Sequence, residues 1–119
     1  MSEIPRENPF DIEALMGQCG GKKEIAGMVL AEFVNQTPKD IAEIEGALAS
    51  GDLVLASKGA HRLKGTAGVI GAKQFHALCA ELELACRNDD AAAAPGFFAR
   101  LKEVAGSCIA YVPVLLTRL

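Results

Sequence analysis

Residues 53–71 read LVLASKGAHRLKGTAGVIG and carry a helical pattern of apolar residues. Its apolar seam recurs at intervals of three and four positions, at Leu53, Ala56, Ala60, Leu63, Ala67 and Ile70. That spacing places the seam on one narrow face of an α-helix, as expected for a helix packed inside a bundle. Gly51 and Asp52 before the stretch are typical of a helix stop followed by an N-cap, and Gly71 predicts the end of the helix.

Two helices are predicted before this stretch. Asn8-Pro9 is typical of an N-cap followed by proline in the first turn of a short helix. Its inward residues are Ile12, Leu15 and Met16. A long helical segment then spans residues 22–50. Its apolar stripe includes Ile25, Val29, Phe33, Ile41, Ile44 and Leu48. Because Pro38 lacks a backbone donor, we expect this segment to kink there or to restart with Thr37 as its cap.

Two more helices are predicted after it. Residues 73–87 form one helix, and another begins near Ala94-Pro95 and is bent or ended by Pro113. The inward residues of the two are Phe75, Leu78, Leu82, Ala85, Phe98, Leu101, Ala105, Cys108 and Val112. Short connections between amphipathic helices favour antiparallel neighbours. The sequence therefore predicts an all-α fold, an antiparallel up-down four-helix bundle with a short extra N-terminal helix, formed by residues 1–119 as a single domain.

Composition excludes several classes of protein. The chain has 119 residues, 50% of them apolar, which is enough for one packed domain and argues against global disorder. A net charge of −3 and only 5% aromatic residues argue against nucleic-acid binding. No apolar run approaches the roughly 20 residues of a membrane span, and residues 1–10 do not resemble a signal peptide. We therefore expect a cytoplasmic protein, with Cys19, Cys79, Cys86 and Cys108 reduced and mostly in the core.

His61 lies off the apolar seam, about 130° around the helix from its centre. Its neighbours on that face are Ser57, Lys58, Lys64, Gly65 and Gly68. Glycine inside a helix lowers stability by roughly 1 kcal/mol relative to alanine, so two glycines beside one histidine point to a need for space. The pattern predicts a solvent-facing imidazole that a large partner can approach.

The charges around His61 favour an anion at this site. Between residues 53 and 80 there is no acidic residue, and the segment carries a local charge of +4. The four cations are Lys58, Arg62, Lys64 and Lys73. A neutral imidazole is a competent nucleophile near neutral pH, and phosphoryl transfer needs charge stabilisation of the transferred group. Lys64 is placed to supply that charge. Glu83 is a candidate for orienting the imidazole, and Arg87, one turn further on, for pairing with Glu83 or contacting phosphate.

The run AHRLKGTAGVIGA at residues 60–72, followed by LCAELE at 78–83, resembles the histidine-containing phosphotransfer (Hpt) domain family. The resemblance is specific over residues 60–87. It implies that His61 accepts a phosphoryl group from the aspartate of a receiver domain and passes it to another receiver aspartate. It also implies that Lys64 stabilises the phosphoryl group and that Gly65 admits the receiver. Gly71 matches the turn glycine of the family.

The resemblance also sets expectations about cofactors and partners. The chain has no ATP-binding motif, so we expect a phosphotransfer protein that is not an autonomous kinase. No cofactor of its own is expected, and no metal, because Mg²⁺ should be held by the receiver partner. The expected partners are receiver domains of a hybrid sensor histidine kinase and of a response regulator, docking on the His61 face beside Lys58, Arg62, Gly65 and Gly68, with apolar residues near Val69. We expect a monomer.

Other interpretations remain open at this point. The chain could be the phosphoacceptor segment of a larger hybrid or chemotaxis histidine kinase, or a helical scaffold that docks a receiver without chemistry. His76, Cys79 and Glu83 could be a metal cluster, although nothing in their spacing fixes a tetrahedral set. Phe97 could be an exposed aromatic at a partner surface or a loose core position.

Overall fold

The computed structural model describes residues 4–119. It contains five helices in chain order: α1 (Ile12–Gln18), α2 (Lys23–Ala49), α3 (Leu53–Val69), α4 (Lys73–Arg87) and α5 (Ala94–Leu116). α3 packs against α2 and most extensively against α4, α5 packs against α4 and α2, and α1 contacts α2 and α3. The predicted all-α four-helix bundle with an extra N-terminal helix is confirmed. That residues 1–119 are a complete single domain stays a prediction.

Both turns that flank α3 form as predicted. Gly51 has a positive φ of 77°, and the Asp52 carboxylate caps α3 by accepting a hydrogen bond from the Leu55 N–H at 3.0 Å. Gly71 has a φ of 72°, and a Cβ there would lie 2.6 Å from the Asp11 carbonyl oxygen. Glycine is therefore required at 71 both by the backbone conformation and by the close approach of the start of α1.

One prediction about a helix end is wrong, and two others are wrong in one of their alternatives. α1 is capped by Asp11, which accepts from the Ala14 N–H, whereas the Asn8 side chain accepts from the Phe10 N–H in the preceding turn. α2 does not restart at Pro38, and α5 does not end at Pro113 but continues to Leu116. A kink at Pro38 and a bend at Pro113 stay predictions. Both prolines are exposed, so water can reach the carbonyl that loses its donor while packing holds the helix together.

The buried face of α2 is rotated relative to the predicted stripe. Its buried residues are Ala26, Leu30, Phe33, Thr37, Asp40, Ile41, Ile44 and Ala47. Ile25, placed inward by the sequence pattern, is 40% exposed, and Val29 and Leu48 are only partly buried. The small side chains of Ala26 and Ala47 occupy core positions that larger residues were expected to fill. Apolar side chains near the start of α2 are therefore left on the surface beside α3.

The α3 seam is confirmed from Ala56 to Ile70, with Leu53 half-buried at its start. All four cysteines are free and buried, as predicted. Phe97 is partly buried against the core, which supports the interpretation as a loose core position. Across residues 4–119, no helix is both long and apolar enough to cross a membrane.

Candidate functional site

His61 projects from α3 away from the core, with 69% of its side chain exposed. Its backbone is fixed by the buried neighbours Ala60 and Leu63, which lock the helix against α2 and α4. Gly65, one turn further along, has nothing within 4 Å of the position that a Cβ would occupy. The structure thus places the imidazole on an open helix face, as the sequence predicts.

A buried carboxylate on α4 holds the inner edge of the imidazole. Glu83 is 6% exposed, and its Oε2 lies 2.9 Å from His61 Nδ1. Its Oε1 accepts a hydrogen bond from Lys64 Nζ at 2.6 Å. The structure therefore brings together His61, Lys64 and Glu83, and each carboxylate oxygen of Glu83 has one of the other two residues as its partner.

This hydrogen bond sets the tautomer of His61. An ionised carboxylate can only accept, so Nδ1 must carry the proton that it donates to Glu83. In the neutral ring the lone pair then lies on Nε2, at the exposed edge. The pair Glu83–His61 therefore presents a nucleophilic nitrogen to solvent.

Glu83 remains ionised although it is buried. Burial raises the pKa of this carboxyl group, but the hydrogen bonds from Lys64 and His61 and the positive charge of Lys64 more than offset burial, and the net pKa is lowered from its ordinary value of 4.5. The carboxylate is thus available as an acceptor for Nδ1 throughout the neutral pH range.

The predicted cationic patch is mostly neutralised by acidic residues of neighbouring helices. Lys64 pairs with Glu83, and Lys73 Nζ lies 3.1 Å from Asp11 Oδ2. Arg62 is directed toward α2, where its Nε lies 3.4 Å from Asp40 Oδ1 and its Nη2 lies 3.4 Å from Glu43 Oε1. The folded chain therefore does not carry a net local charge of +4 around His61. The segment itself contains no acidic residue, but acidic residues from other parts of the chain lie next to its cations.

The other predicted site residues lie around this centre. Arg87 Nη1 is 3.7 Å from Glu83 Oε2, which supports the prediction that it pairs with this carboxylate. Lys58 is exposed and forms no ion pair with any residue of the described chain. Gly68 is exposed, and a Cβ there would lie 3.7 Å from His76 Cδ2. His61 is thus surrounded by one bound carboxylate, peripheral cations and bare helix backbone.

Two adjoining depressions lie along α3, and His61 lines the first of them. The first, which we call the notch, has a volume of about 340 Å³ and is lined by Gln18, His61, Lys64, Gly65, Gly68, Val69 and His76. The second, which we call the groove, has a volume of about 510 Å³ and runs between α2 and α3. Its apolar lining residues are Ile25, Met28, Val29, Phe33, Val69 and Ile70. Gly65 and Val69 line both depressions, so the two are continuous.

The α2 residues of the groove were missed by the sequence analysis. Met28 is 72% exposed and Ile25 is 40% exposed. Val69 of α3, also 40% exposed, lies where apolar docking residues were expected. An available signal was the surplus of apolar residues between 25 and 30, which is larger than one buried helix face can accommodate.

The residues proposed as a metal cluster do not form one. Within residues 4–119 there is no group of three His, Cys, Asp or Glu side chains suitably placed to hold a metal ion. Cys79 is fully buried, and burial raises the pKa of its thiol to about 12, so the thiolate needed for zinc is strongly disfavoured. The carboxylate of Glu83 is already engaged by His61 and Lys64.

Comparison with known proteins identifies related chains and folds. The phosphorelay intermediate protein rdeA of Dictyostelium discoideum is 26% identical over 94 residues, which cover 79% of this chain and 37% of that protein. This chain therefore spans little more than a third of the length of that relative. Histidine-containing phosphotransfer protein B of Pseudomonas aeruginosa PAO1 has a similar structure, with a TM-score of 0.85 at 20% identity over 97% of this chain and 99% of that chain.

A second solved structure has the same fold. The HPT domain of an Hpt sensor hybrid histidine kinase from Shewanella gives a TM-score of 0.81 at 19% identity, over 94% of this chain and 97% of that chain. The family model described as the Hpt domain matches residues 28–107, two thirds of the sequence, and this range includes His61, Lys64 and Glu83. The chain belongs to the Hpt domain family.

Proposed function

We propose that this chain is a phosphorelay intermediate that carries a phosphoryl group on His61. It accepts the group from the aspartate of one receiver domain and passes it to the aspartate of another. The observation that carries the proposal is the exposed imidazole whose Nδ1 lies 2.9 Å from a buried, ionised carboxylate. Membership of the Hpt family and the similarity to a phosphorelay intermediate support it.

The transfer step follows from the tautomer of His61. The lone pair on Nε2 attacks the phosphorus of the receiver's aspartyl phosphate in line with the bond to the aspartate oxygen. The N–P bond forms as that P–O bond breaks, and the electron pair leaves with the aspartate carboxylate. The proton stays on Nδ1, where Glu83 stabilises the positive charge that the ring acquires. The reverse sequence delivers the group to a second receiver.

Lys64 is proposed to stabilise the transferred group. Its ammonium group is held by Glu83 in the structure, and 30% of its side chain is exposed on the notch side of α3. A phosphoryl group on Nε2 would bring negative charge close to this residue, so we infer that Lys64 divides its hydrogen bonds between Glu83 and the phosphoryl oxygens. Arg87, 3.7 Å from Glu83 and 69% exposed, is a second cation within reach of the site.

Mg²⁺ is proposed to belong to the receiver partner. A divalent cation there would neutralise charge on the phosphoryl oxygens during transfer. Among residues 4–119, the acidic side chain at the reacting ring is Glu83, and it is committed to His61 and Lys64. The residues of this chain therefore suit the nucleophile and its proton, and the metal ligands are expected on the partner.

The receiver is proposed to dock on the His61 face of α3 and on the groove. Gly65 and Gly68 leave the backbone of α3 open, and Lys58 is available for a charged contact. Arg62 has a different proposed role from the one expected from sequence, because its contacts with Asp40 and Glu43 hold α3 to α2 while half of its side chain faces the docking surface. The preserved nucleophile geometry argues against a scaffold without chemistry.

The proposal is tested by comparing phosphoryl transfer to His61 and to His76, the two histidines of the chain. A receiver domain charged with ³²P-labelled acetyl phosphate and Mg²⁺ is mixed with the purified protein. We expect an acid-labile, alkali-stable label on the wild type and on a His76→Gln variant, and none on His61→Gln. His76 is the matched control, because it is also exposed and lines the same notch. Label that persists in His61→Gln would contradict the assignment of the site.

A further inference from the structure

The groove is lined by buried polar residues as well as by apolar ones. Thr37 lines the groove and is 1% exposed, and its hydroxyl has no hydrogen-bond partner within the described chain. A buried hydroxyl without a partner is destabilising, and native proteins contain few such groups. The hydroxyl oxygen is itself buried, so a bound partner can supply the missing hydrogen bond only by displacing the side chains that cover it.

The same part of the groove carries excess negative charge. Asp40 is 4% exposed, and its Oδ1 lies 3.2 Å from Gln36 Nε2 and 3.4 Å from Arg62 Nε. The Arg62 guanidinium is shared with Glu43, so one cation serves two carboxylates. Glu32 also lines the groove, is exposed, and forms no ion pair with a residue of the described chain. Glu32, Asp40 and Glu43 carry three negative charges, and Arg62 carries one positive charge. The net charge of this set is therefore −2.

The shape of the groove fits a helix laid along it. The groove follows α2 from Ile25 to Asp40, a distance of about 22 Å at 1.5 Å per residue. Exposed apolar side chains occupy the end near Ile25 and Val69, and the polar groups occupy the end near Asp40 and Arg62. This length matches about four turns of an amphipathic helix.

We propose that the groove selects receivers that carry one lysine or arginine on the apolar face of their docking helix. The end group of that side chain lies between Glu32 and Asp40, and it donates a hydrogen bond to the Thr37 hydroxyl after displacing the side chains that cover this oxygen. This inference rests on the proposed function, and it adds the chemical feature by which one receiver is preferred over another. Continuity of the groove with the notch, through Gly65 and Val69, places such a partner beside His61.

The test measures transfer kinetics from a receiver to groove variants. Receiver domains encoded by the same genome are each charged with acetyl phosphate and Mg²⁺, and the one that labels His61 fastest is the probe. We expect Glu32→Lys to raise KM about tenfold and Glu32→Gln about threefold, with kcat unchanged, because a single rim charge affects docking more than chemistry. Glu103→Gln, an exposed acid on α5, is the matched control and should leave KM unchanged.

Thr37→Val separates docking from stability. The variant keeps the volume of the side chain and removes the unsatisfied hydroxyl, so the Tm of the free protein should rise. If the hydroxyl binds the receiver, KM should rise about threefold in the same variant, an effect that damage to the fold cannot produce when Tm increases.

Three outcomes would overturn the inference. If KM is unchanged in both Thr37→Val and Glu32→Lys, or is lowered by Glu32→Lys, no cationic side chain of the receiver binds in the groove. The proposed function would still stand. Sedimentation that shows wild-type dimers dissociated by Glu32→Lys would assign the groove to a second copy of the chain. A wild-type protein that no charged receiver labels would overturn the proposed function as well.

Discussion

At the scale of single residues, Glu83 connects the stability of the site to its chemistry. Its carboxylate satisfies Lys64 and His61 at once, so neither hydrogen bond can be changed without affecting the other. A buried carboxylate with two charge-assisted partners is geometrically restrained, which keeps the imidazole in one orientation. We therefore treat Glu83 as a positioning residue and His61 as the reacting group.

Replacing Glu83 tests the positioning role. In Glu83→Ala, His61 Nδ1 loses its acceptor, the tautomer with the lone pair on Nε2 is less populated, and labelling of His61 should slow by roughly tenfold, the size of effect that orienting partners have on histidine ligands. Glu83→Gln can still accept the hydrogen bond and should be closer to the wild type. Single-turnover transfer gives the rates, and ¹⁵N chemical shifts of the His61 ring report the tautomer. Unchanged ring shifts in Glu83→Ala would contradict the prediction.

The lowered pKa of Glu83 predicts a pH dependence of stability. The pKa in the folded chain lies below the ordinary value of 4.5, so the contribution to the free energy of unfolding is fully present above about 4.5. It should be lost as pH falls from about 4.5 through the folded pKa, because protonation removes the charge that Lys64 and His61 stabilise. Urea unfolding at a series of pH values should show that the free energy of unfolding decreases less with falling pH in Glu83→Gln than in the wild type. Parallel curves for the two proteins would contradict the assignment.

At the scale of elements, α3 contains glycines of two different kinds. Gly59 faces inward, where a Cβ would lie 2.6 Å from Cγ1 of the buried Ile44, so this glycine permits α3 to pack closely against α2. Gly65 faces outward, and a Cβ there meets nothing within 4 Å. The first is thus required by packing, and the second lowers helix stability without a packing benefit.

Alanine substitutions at these two positions should have opposite effects. Gly59→Ala gains about 1 kcal/mol of helix propensity but overpacks the α2–α3 contact by about 1–3 kcal/mol, so we expect a net loss of about 1 kcal/mol. Gly65→Ala should gain about 1 kcal/mol, because only the propensity changes. Chemical denaturation measures both, and each variant serves as the control for the other. Equal stabilisation by the two substitutions would show that Ile44 can move aside.

At the scale of the whole molecule, the bundle protects its four cysteines in one continuous core. Cys79 and Cys108 are both fully buried, and burial raises the pKa of each thiol to about 12. Cys19 and Cys86 are 3% and 4% exposed and lie nearer the surface. Cys79 and Cys108 therefore form little reactive thiolate at neutral pH as long as the bundle remains folded.

Thiol labelling should report the opening of the bundle. In pulses of a maleimide reagent at neutral pH, we expect Cys79 and Cys108 to react only at the rate of global unfolding, and Cys19 to react earlier through opening of α1. Mass spectrometry of digested samples assigns the labelled sites, and the same pulse in urea provides the fully reactive control. Labelling of Cys79 or Cys108 without loss of helical signal would show that the core opens locally.

Much of the fold and the main site residue could be predicted from sequence. The three- and four-residue spacing of the α3 seam, the Gly51-Asp52 turn and Gly71 are local signals, and each was confirmed. The predicted cap at Asn8, the restart at Thr37-Pro38 and the end at Pro113 were wrong, because the outcome at a helix end or a proline depends on solvent access and packing from elsewhere in the chain. The roles of His61, Lys64 and Gly65 in transfer stay predictions.

The helical character of the chain and the orientation of His61 away from its own apolar seam were both predictable from sequence alone. Both properties follow from the periodicity of a single helix, which fixes the angle between residues on that helix. The ion pairs between acidic and basic residues could be seen only in the tertiary structure. They join different helices, so they depend on how each helix is rotated against its neighbours. Lys64 with Glu83 and Arg62 with Asp40 are such pairs. The placement of Ile25 and Met28 along the groove beside α3 also depends on how α2 is rotated.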